Sequence, residues 1–287
     1  MKKISFAVLA LGIVGLQAQQ YPPQQSYPAQ QPYPQQGAPA LLPPQQLDQL
    51  VGRIALYPDP LLAQVMTAST FYNQIPDAAN WSNQHSNLTG DQLAQAIQED
   101  NLPWDPSVLS LLPFASTLNM MASDMNFTQS LGNAVLAQQQ DVMDAVQRQR
   151  QLAYNYGYLQ NNAYNRVVAD PGYIQIVPVN SAYIYAPFYS PFVVFAAPRP
   201  GFFIGGAIRF GPAVTIGAFL PFGWRGPYVD WRAHNILIDN HVWGRTWANR
   251  EAYSHAYIDR RAPVAGARVE RHEVVRPARE GRREERR

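Results

Sequence analysis

Three side chains near the carboxyl-terminal end of the sequence have the types that bind metal ions or exchange protons. They are His234, Asp239 and His241, and tryptophans lie on both sides of them. Imidazole and carboxylate groups bind zinc, and the flat tryptophan rings offer stacking surfaces. The two histidines are seven residues apart, which fits neither an HExxH helix nor a fixed zinc loop. These three are the candidate metal ligands, and their spacing favours a chance cluster on an aromatic surface.

Two acidic groups, Asp141 and Asp144, lie in a glutamine-rich stretch with helical periodicity. Two neighbouring carboxylates can act as general acid and base. No second acid pair, histidine or nucleophile motif accompanies them, so the pattern favours a solvated helix face. The chain also has no cysteine, which excludes thiolate nucleophiles, zinc–thiolate sites and disulfides. The sequence therefore predicts no catalytic residue and no cofactor, and a non-enzymatic role is favoured.

Proline-marked helix starts are the clearest local signals in the middle of the chain. Asp59-Pro60 and Asp105-Pro106 each place a side-chain acceptor before a proline at the first helical position. Thr89 stands at the first position of a capping-box spacing. We predict that these five residues are structural caps that begin three short helices.

The spacing of apolar residues predicts a mainly α fold. Between Leu47 and Leu159 it indicates a compact bundle of short helices plus one long helix, from about Thr128 to Tyr156. From 160 to 259 the pattern changes to a small β and irregular region, rich in glycine and aromatic residues, that packs on or follows the helical domain. Within it, Tyr173–Pro178 and Tyr183–Tyr185 are predicted to pair as a two-stranded element.

The two ends of the chain differ in composition from this middle. Residues 1–18 combine two lysines, an apolar run of thirteen residues and a terminal alanine, as secretory signal peptides do. This run is shorter than the roughly 20 residues that a membrane-spanning helix needs. Residues 19–46 repeat tyrosine, proline and glutamine, which predicts a disordered linker. Residues 260–287 contain 10 arginines and 5 glutamates without apolar periodicity, which predicts a disordered tail.

Charge is distributed unevenly, which bears on partners. Residues 47–159 carry 3 arginines against 10 acids, a net charge of −7, whereas the tail has a net charge of +5. Such polarity steers association. In an exported chain, arginine would meet an envelope protein, anionic lipid or a surface polymer rather than nucleic acid. The predicted location is the periplasm or cell envelope, including association with the outer membrane.

The segment Phe202–Trp224 is the most apolar stretch after the signal peptide, and three interpretations of it stay open. It forms a hairpin that turns at Gly211-Pro212, or it contacts a membrane or a second copy of the chain, or it packs irregularly. Arg209 near its middle would cost at least ~3 kcal/mol in a bilayer. The glycines of this candidate membrane or self-association segment are Gly201, Gly205, Gly211 and Gly217.

Several segments together resemble a bacterial exported family known only as domain of unknown function 3300. The resemblance extends over roughly Leu47 to Trp247, and its long-helix motif is specific. It implies export and the architecture described above, and it brings no established activity, ligand or catalytic residue. The segments that carry it are ALYPDPLLAQ (Ala55–Gln64), WDPSV (Trp104–Val108), TQSLGNAVLAQQQDVMDAVQRQR (Thr128–Arg150), IYAPFYSP (Ile184–Pro191) and FGPAVTIGA (Phe210–Ala218).

Three function hypotheses follow from these observations. The first is a non-enzymatic structural or interaction protein of the cell envelope. The second is an envelope hydrolase acting on wall or surface polymer, with His234, Asp239 and His241 as its working groups. The third is a peptide- or glycan-binding module at the junction between helices and strands, which predicts a concave aromatic pocket there.

Overall fold

A computed structural model describes residues 37–198 and 205–253. The predicted signal peptide, most of the predicted linker, Gly201 and the predicted arginine-rich tail lie outside the described residues. Apart from Gly37, the described residues belong to one compact unit that begins at Ala38. The regions predicted as a helical domain and a strand region thus lie in the same unit.

The helices confirm the predicted mainly α fold of short helices and one long helix. The first helix begins at Pro44, before the predicted start at Leu47, because a proline at the first helical position loses no hydrogen bond. The helices up to the strand region are α1 (Pro44–Val51), α2 (Asp59–Ser69), a 3₁₀ turn (Tyr72–Gln74), α3 (Ile75–Gln84), α4 (Gly90–Glu99), α5 (Pro106–Leu109), α6 (Ala115–Ser123) and α7 (Met125–Asn155).

The long helix α7 is interrupted at Gln138, whose φ of −149° and ψ of 51° are not helical. Two distant segments satisfy the polar groups at this break. The Leu136 carbonyl accepts a hydrogen bond from the Trp247 N–H at 2.9 Å. The Gln138 amide accepts from the Leu42 N–H at 2.7 Å and donates to the Leu42 carbonyl at 3.1 Å. Residues near both limits of the described range thus contact α7 at the same point.

The strands form three small antiparallel sheets with the orders β1-β2, β3-β4 and β5-β6-β7. A one-turn helix, α8, follows β3, and a 3₁₀ helix follows β4. The bounds are β1 (Asn165–Asp170), β2 (Tyr173–Pro178), β3 (Tyr183–Tyr189), α8 (Pro191–Val194), β4 (Ile208–Thr215), the 3₁₀ helix (Gly217–Phe222), β5 (Tyr228–Asp230), β6 (Asn235–Ile238) and β7 (His241–Val242).

Two predictions about the strands are wrong. The segment Tyr173–Pro178 pairs with the upstream strand β1, not with the segment after it. The reason is the Pro171-Gly172 turn, where Gly172 has a φ of 96° and closes a tight hairpin. The hairpin that was one of three interpretations of Phe202–Trp224 does not turn at Gly211-Pro212, because both residues lie inside β4, at an irregularity where a proline is tolerated.

One hydrophobic core joins the helical and strand regions. Leu61 and Val146 of the helices and Leu112 of the α5–α6 turn share it with Phe219 and Trp224, which follow β4. Phe219 and Trp224 are at most 3% exposed, so part of the apolar segment Phe202–Trp224 packs in the interior. Among the described residues, no helix combines the length and apolarity needed to cross a membrane.

Tyr57, in the turn before α2, should make the folded protein less stable at high pH. The side chain is 4% exposed, and burial raises its pKa from 10.0 to about 12. Between these two values the unfolded chain loses a proton that the folded protein keeps, so stability falls as the pH rises through this window. We expect the free energy of unfolding to drop by up to about 1.4 kcal/mol per pH unit above pH 10 on account of this group.

Urea unfolding of Tyr57→Phe across that pH range measures this contribution. The slope should become shallower than in the wild-type protein. Tyr228→Phe is the matched control, because Tyr228 is 44% exposed and its replacement should leave the slope unchanged. Equal slopes for the wild-type protein and Tyr57→Phe would contradict the assignment.

Candidate functional site

A fully buried arginine, Arg150 of α7, connects the elements around the α1–α2 turn. Its Nε donates to the Ala55 carbonyl at 2.8 Å, and Nη2 donates to the Tyr57 carbonyl at 2.9 Å. Its Nη1 donates both to Asp59 Oδ1 at 2.6 Å and to the Ile174 carbonyl of β2 at 2.7 Å. Four hydrogen bonds thus tie α7 to this turn and to β2.

Asp59 does not cap α2 as the sequence predicted. Pro58 precedes the helix, Asp59 is its first residue, and no side chain caps this end. The carboxylate is instead buried as the partner of Arg150. Its other oxygen, Oδ2, accepts a hydrogen bond from Trp231 Nε1 at 2.9 Å. The Trp231 ring lies 4.7 Å below the Arg150 guanidinium. This cluster is closed to solvent and holds the scaffold together.

The other predicted caps have different surroundings. Asp105 precedes α5 and its Oδ1 accepts from the Ser107 N–H at 2.9 Å, with Pro106 at the first helical position. The Asp105 N–H is itself held by Gln74 Oε1 at 2.7 Å. Thr89 precedes α4, but its side chain makes no capping hydrogen bond. Thr89 instead borders the groove described below.

The candidate metal ligands do not converge. His234 Nε2 lies 2.9 Å from Asp144 Oδ1 on α7, and His241 Nδ1 lies 2.7 Å from the Asp239 carbonyl oxygen, not its carboxylate. Asp239 and Asn240 have φ of 52° and 62°, as the two-residue turn between β6 and β7 requires. No group of three or more metal-binding side chains occurs in the part of the chain that the structure describes.

A concave site does occur where the helices meet the strands. This groove, called the junction groove below, has a volume of about 320 Å³, within the range of ligand pockets. The α3–α4 connection forms one wall, the α5–α6 turn forms the floor, and β3 and β4 form the opposite wall. Its lining residues are Ser82, His85, Ser86, Leu88, Thr89, Leu93, Leu112, Pro113, Phe114, Ala115, Ser116, Ala186, Gly211, Pro212 and Val214.

The junction groove combines an apolar floor with hydroxyl groups at its border. Leu112 and Phe114 are 1% and 2% exposed, so they present only a small part of their surface. The side chains of Ser86, Thr89 and Ser116 make no hydrogen bond to any described residue, and they are available to a ligand. The lining is mainly aliphatic and proline-containing, which differs from the predicted aromatic pocket.

His85 is the one titratable side chain among the described residues that line the groove. It stacks on Trp81 with ring centroids 3.9 Å apart, and its Nδ1 lies 2.9 Å from the Trp81 carbonyl oxygen. Trp81 Nε1 in turn donates to Asp100 Oδ2 at 2.6 Å. The imidazole is therefore fixed as part of the wall. None of the hydroxyl side chains in the described lining makes a hydrogen bond to it, and no acidic residue belongs to that lining.

The strand wall of the groove depends on the irregularity between β3 and β4. Tyr185 pairs with Ala213 and Pro187 with Phe210, so one extra residue of β4 lies opposite Ala186. Such a bulge bends the strand and redirects its side chains. It explains how Gly211 and Pro212 come to border the groove. One interpretation of the sequence placed a turn at these two positions, and the pocket expected at the helix–strand junction was not linked to them.

Of the candidate membrane or self-association glycines, Gly205 lines a different cavity, beside Arg209. Gly211 lies under the Phe188 ring, since a Cβ there would be 3.0 Å from Phe188 Cε2. Gly217 begins the 3₁₀ helix and has no other atom within 4 Å of a Cβ position. The three described glycines therefore lie in three separate environments.

The fold and the groove define a mainly helical scaffold with a concave site at its strand junction. The family described as Protein of unknown function (DUF3300) matches residues 43–261, and the chain belongs to this family. The resemblance stated from the sequence is thereby confirmed.

The chain is also similar to a protein of Escherichia coli (strain K12), the uncharacterized protein YacH. The two are 36% identical over 182 residues, which cover 52% of this chain. The same residues cover 29% of the relative, so the chain spans less than a third of that protein's length. No solved structure matches the chain.

Proposed function

We propose that this protein is an exported, non-enzymatic interaction protein of the cell envelope that binds an extended peptide segment of a partner in the junction groove. The groove is the observation that carries the proposal. It offers an apolar floor for a partner's side chains and three uncommitted hydroxyls for its backbone, contributed by Ser86, Thr89 and Ser116. The signal-like composition of residues 1–18 supports export.

A peptide fits this lining better than a glycan does. Sugar rings stack on the exposed faces of aromatic side chains, whereas Phe114 in the floor is 2% exposed and His85 is already stacked on Trp81. Aliphatic side chains and proline rings such as Pro113 and Pro212 suit the alternating side chains of an extended chain. Apart from His85, no ionisable side chain belongs to the described lining, which favours a segment without net charge.

The envelope hydrolase is the weaker alternative. Its working groups were His234, Asp239 and His241, but the two imidazole rings contact separate partners, the Asp144 carboxylate and the Asp239 backbone carbonyl. His234 is held by Asp144 and its carbonyl accepts from Gln139 Nε2 at 2.8 Å, which fixes the loop on α7. These contacts support a structural role for the loop between β5 and β6.

A peptide-display selection against the exported chain tests the proposal. The protein should first be recovered from the envelope or periplasmic fraction of expressing bacteria without residues 1–18. Selected peptides should then bind the wild-type protein. Ser86→Trp should weaken their binding at least about tenfold, or 1.4 kcal/mol, because the indole occupies the groove.

Asn87→Trp is the matched control, since Asn87 is exposed and adjacent to Ser86 but does not line the groove. Its affinity for the selected peptides should equal that of the wild-type protein. The proposal is overturned if no peptide is enriched, if both variants bind alike, or if the chain stays in the cytoplasm with its first 18 residues attached.

A further inference from the structure

The one-turn helix α8 displays an almost fully exposed phenylalanine. Phe192 is 92% exposed, and the neighbouring Val193 is 36% exposed. The turn is rigid, because the N–H groups of Val193 and Val194 both donate to the Ser190 carbonyl, at 3.0 and 3.1 Å. Val194 on its other side is fully buried in a smaller apolar cluster that includes Ile174 and Ile176 of β2. Burial of one side of this turn thus holds Phe192 out in solvent.

A cationic cavity lies beside this turn. Phe188 of β3 and Arg209 of β4 are directly paired in the sheet, so their side chains emerge on the same face. Together with Tyr189 and Val193 they line an open cavity of about 570 Å³. Among the described residues, none that lines this cavity is acidic and none makes an ion pair or side-chain hydrogen bond with Arg209. Within the described part of the cavity, the guanidinium is therefore surrounded by a mainly apolar lining that carries no negative charge.

This combination complements the surface of an anionic membrane. Phenyl and aliphatic side chains that enter the headgroup boundary leave water, and arginine binds phosphate with two parallel hydrogen bonds. We propose that the surface formed by Phe188, Phe192, Val193 and Arg209 docks on an anionic lipid membrane, with Arg209 on a lipid phosphate. We call this surface the lipid tip. None of its four residues lines the junction groove, and the proposal does not depend on peptide binding there.

Flotation with lipid vesicles tests the lipid tip. The exported chain should float with vesicles of phosphatidylglycerol and phosphatidylcholine, and less with phosphatidylcholine alone. Phe192→Ser should lower partitioning by about tenfold, because it removes the most exposed apolar side chain. Arg209→Gln should lower it by about fivefold on the anionic vesicles and have no effect on neutral ones. Raising the salt concentration should likewise weaken the binding of the wild-type protein to the anionic vesicles.

Two variants serve as matched controls. Tyr228→Ser removes another exposed aromatic side chain, and Arg225→Gln removes another exposed arginine that has no ion pair with a described residue. Both should float like the wild-type protein, and all four variants should show the wild-type thermal unfolding by circular dichroism. Controls that lose binding as strongly as the lipid-tip variants would overturn the proposal.

Sedimentation distinguishes a membrane from a second copy of the chain. The wild-type protein without lipid should sediment as the same species as Phe192→Ser. A concentration-dependent dimer that Phe192→Ser abolishes, with no flotation of the wild-type protein, would assign this surface to self-association instead. Flotation that is equal on neutral and anionic vesicles, or insensitive to both substitutions, would likewise overturn the proposal.

Discussion

Replacing Arg150 by methionine should lower the free energy of unfolding by about 3–5 kcal/mol. The substitution removes the cation and leaves the Asp59 carboxylate buried without its charge partner. It also leaves the Ala55, Tyr57 and Ile174 carbonyls without the hydrogen bonds that Arg150 donates. Since whole domains are stable by only about 5–15 kcal/mol, we expect a large decrease in the urea midpoint measured by circular dichroism.

Arg148→Met provides the matched control two residues away on the same helix. Arg148 also makes an ion pair, with Nη2 at 2.7 Å from Asp48 Oδ1, but its side chain is 42% exposed. Exposed pairs contribute about 0–1 kcal/mol, so this variant should unfold close to the wild-type midpoint. Similar losses for the two variants would contradict a special role for the buried pair.

The double variant Asp59→Asn with Arg150→Met separates charge from packing. Removing the carboxylate charge relieves the penalty that Arg150→Met creates, so the double variant should be less destabilised than the sum of the single variants. Strict additivity would mean that the two groups do not interact energetically, despite their separation of 2.6 Å.

The position of Arg150 shows what sequence periodicity can predict and what it cannot. The apolar stripe of α7 includes Val142, Val146 and Ala153, and Arg150 lies on the same face of the helix, four residues after Val146. An arginine on a buried stripe indicates a buried acidic partner. Asp59 is that partner, but it lies 91 positions earlier, and local cap patterns account for its residue type equally well. Only the tertiary fold identifies the pair.

The helices were predictable because their signals are local, whereas the sheet pairings and the lining of the junction groove were not. Proline starts and apolar spacing lie within a single element, so the start of α5 and most of α7 follow from them. The partner of β3 is β4, and residues 190–207 separate the two strands. A bulge at Gly211-Pro212 has the same composition as a turn. The groove needs that bulge together with two helix connections, so no single segment of sequence encodes it.

Replacing Gly132 by alanine should destabilise the protein by about 1–3 kcal/mol, even though alanine favours helix by roughly 1 kcal/mol. Gly132 lies in α7 where the end of α2 crosses it, and a Cβ there would lie within 2.1 Å of the Ser69 carbonyl oxygen. That end of α2 cannot easily retreat. Arg245 Nη1 donates to the Thr70 carbonyl at 2.6 Å, and its guanidinium lies 3.6 Å from the Phe71 ring centroid.

Thermal unfolding of Gly132→Ala and Gly217→Ala measures whether this close approach holds α2 and α7 together. A Cβ at Gly217 would meet no atom within 4 Å, so Gly217→Ala should change the free energy of unfolding by no more than about 0.5 kcal/mol. For a domain of this size each kcal/mol moves the midpoint by about 2–4 °C, so the two variants should be separable in one experiment. If Gly132→Ala is instead stabilised by its helix propensity, the helices must cross at a greater distance, and the core they enclose with Phe71 must be packed differently.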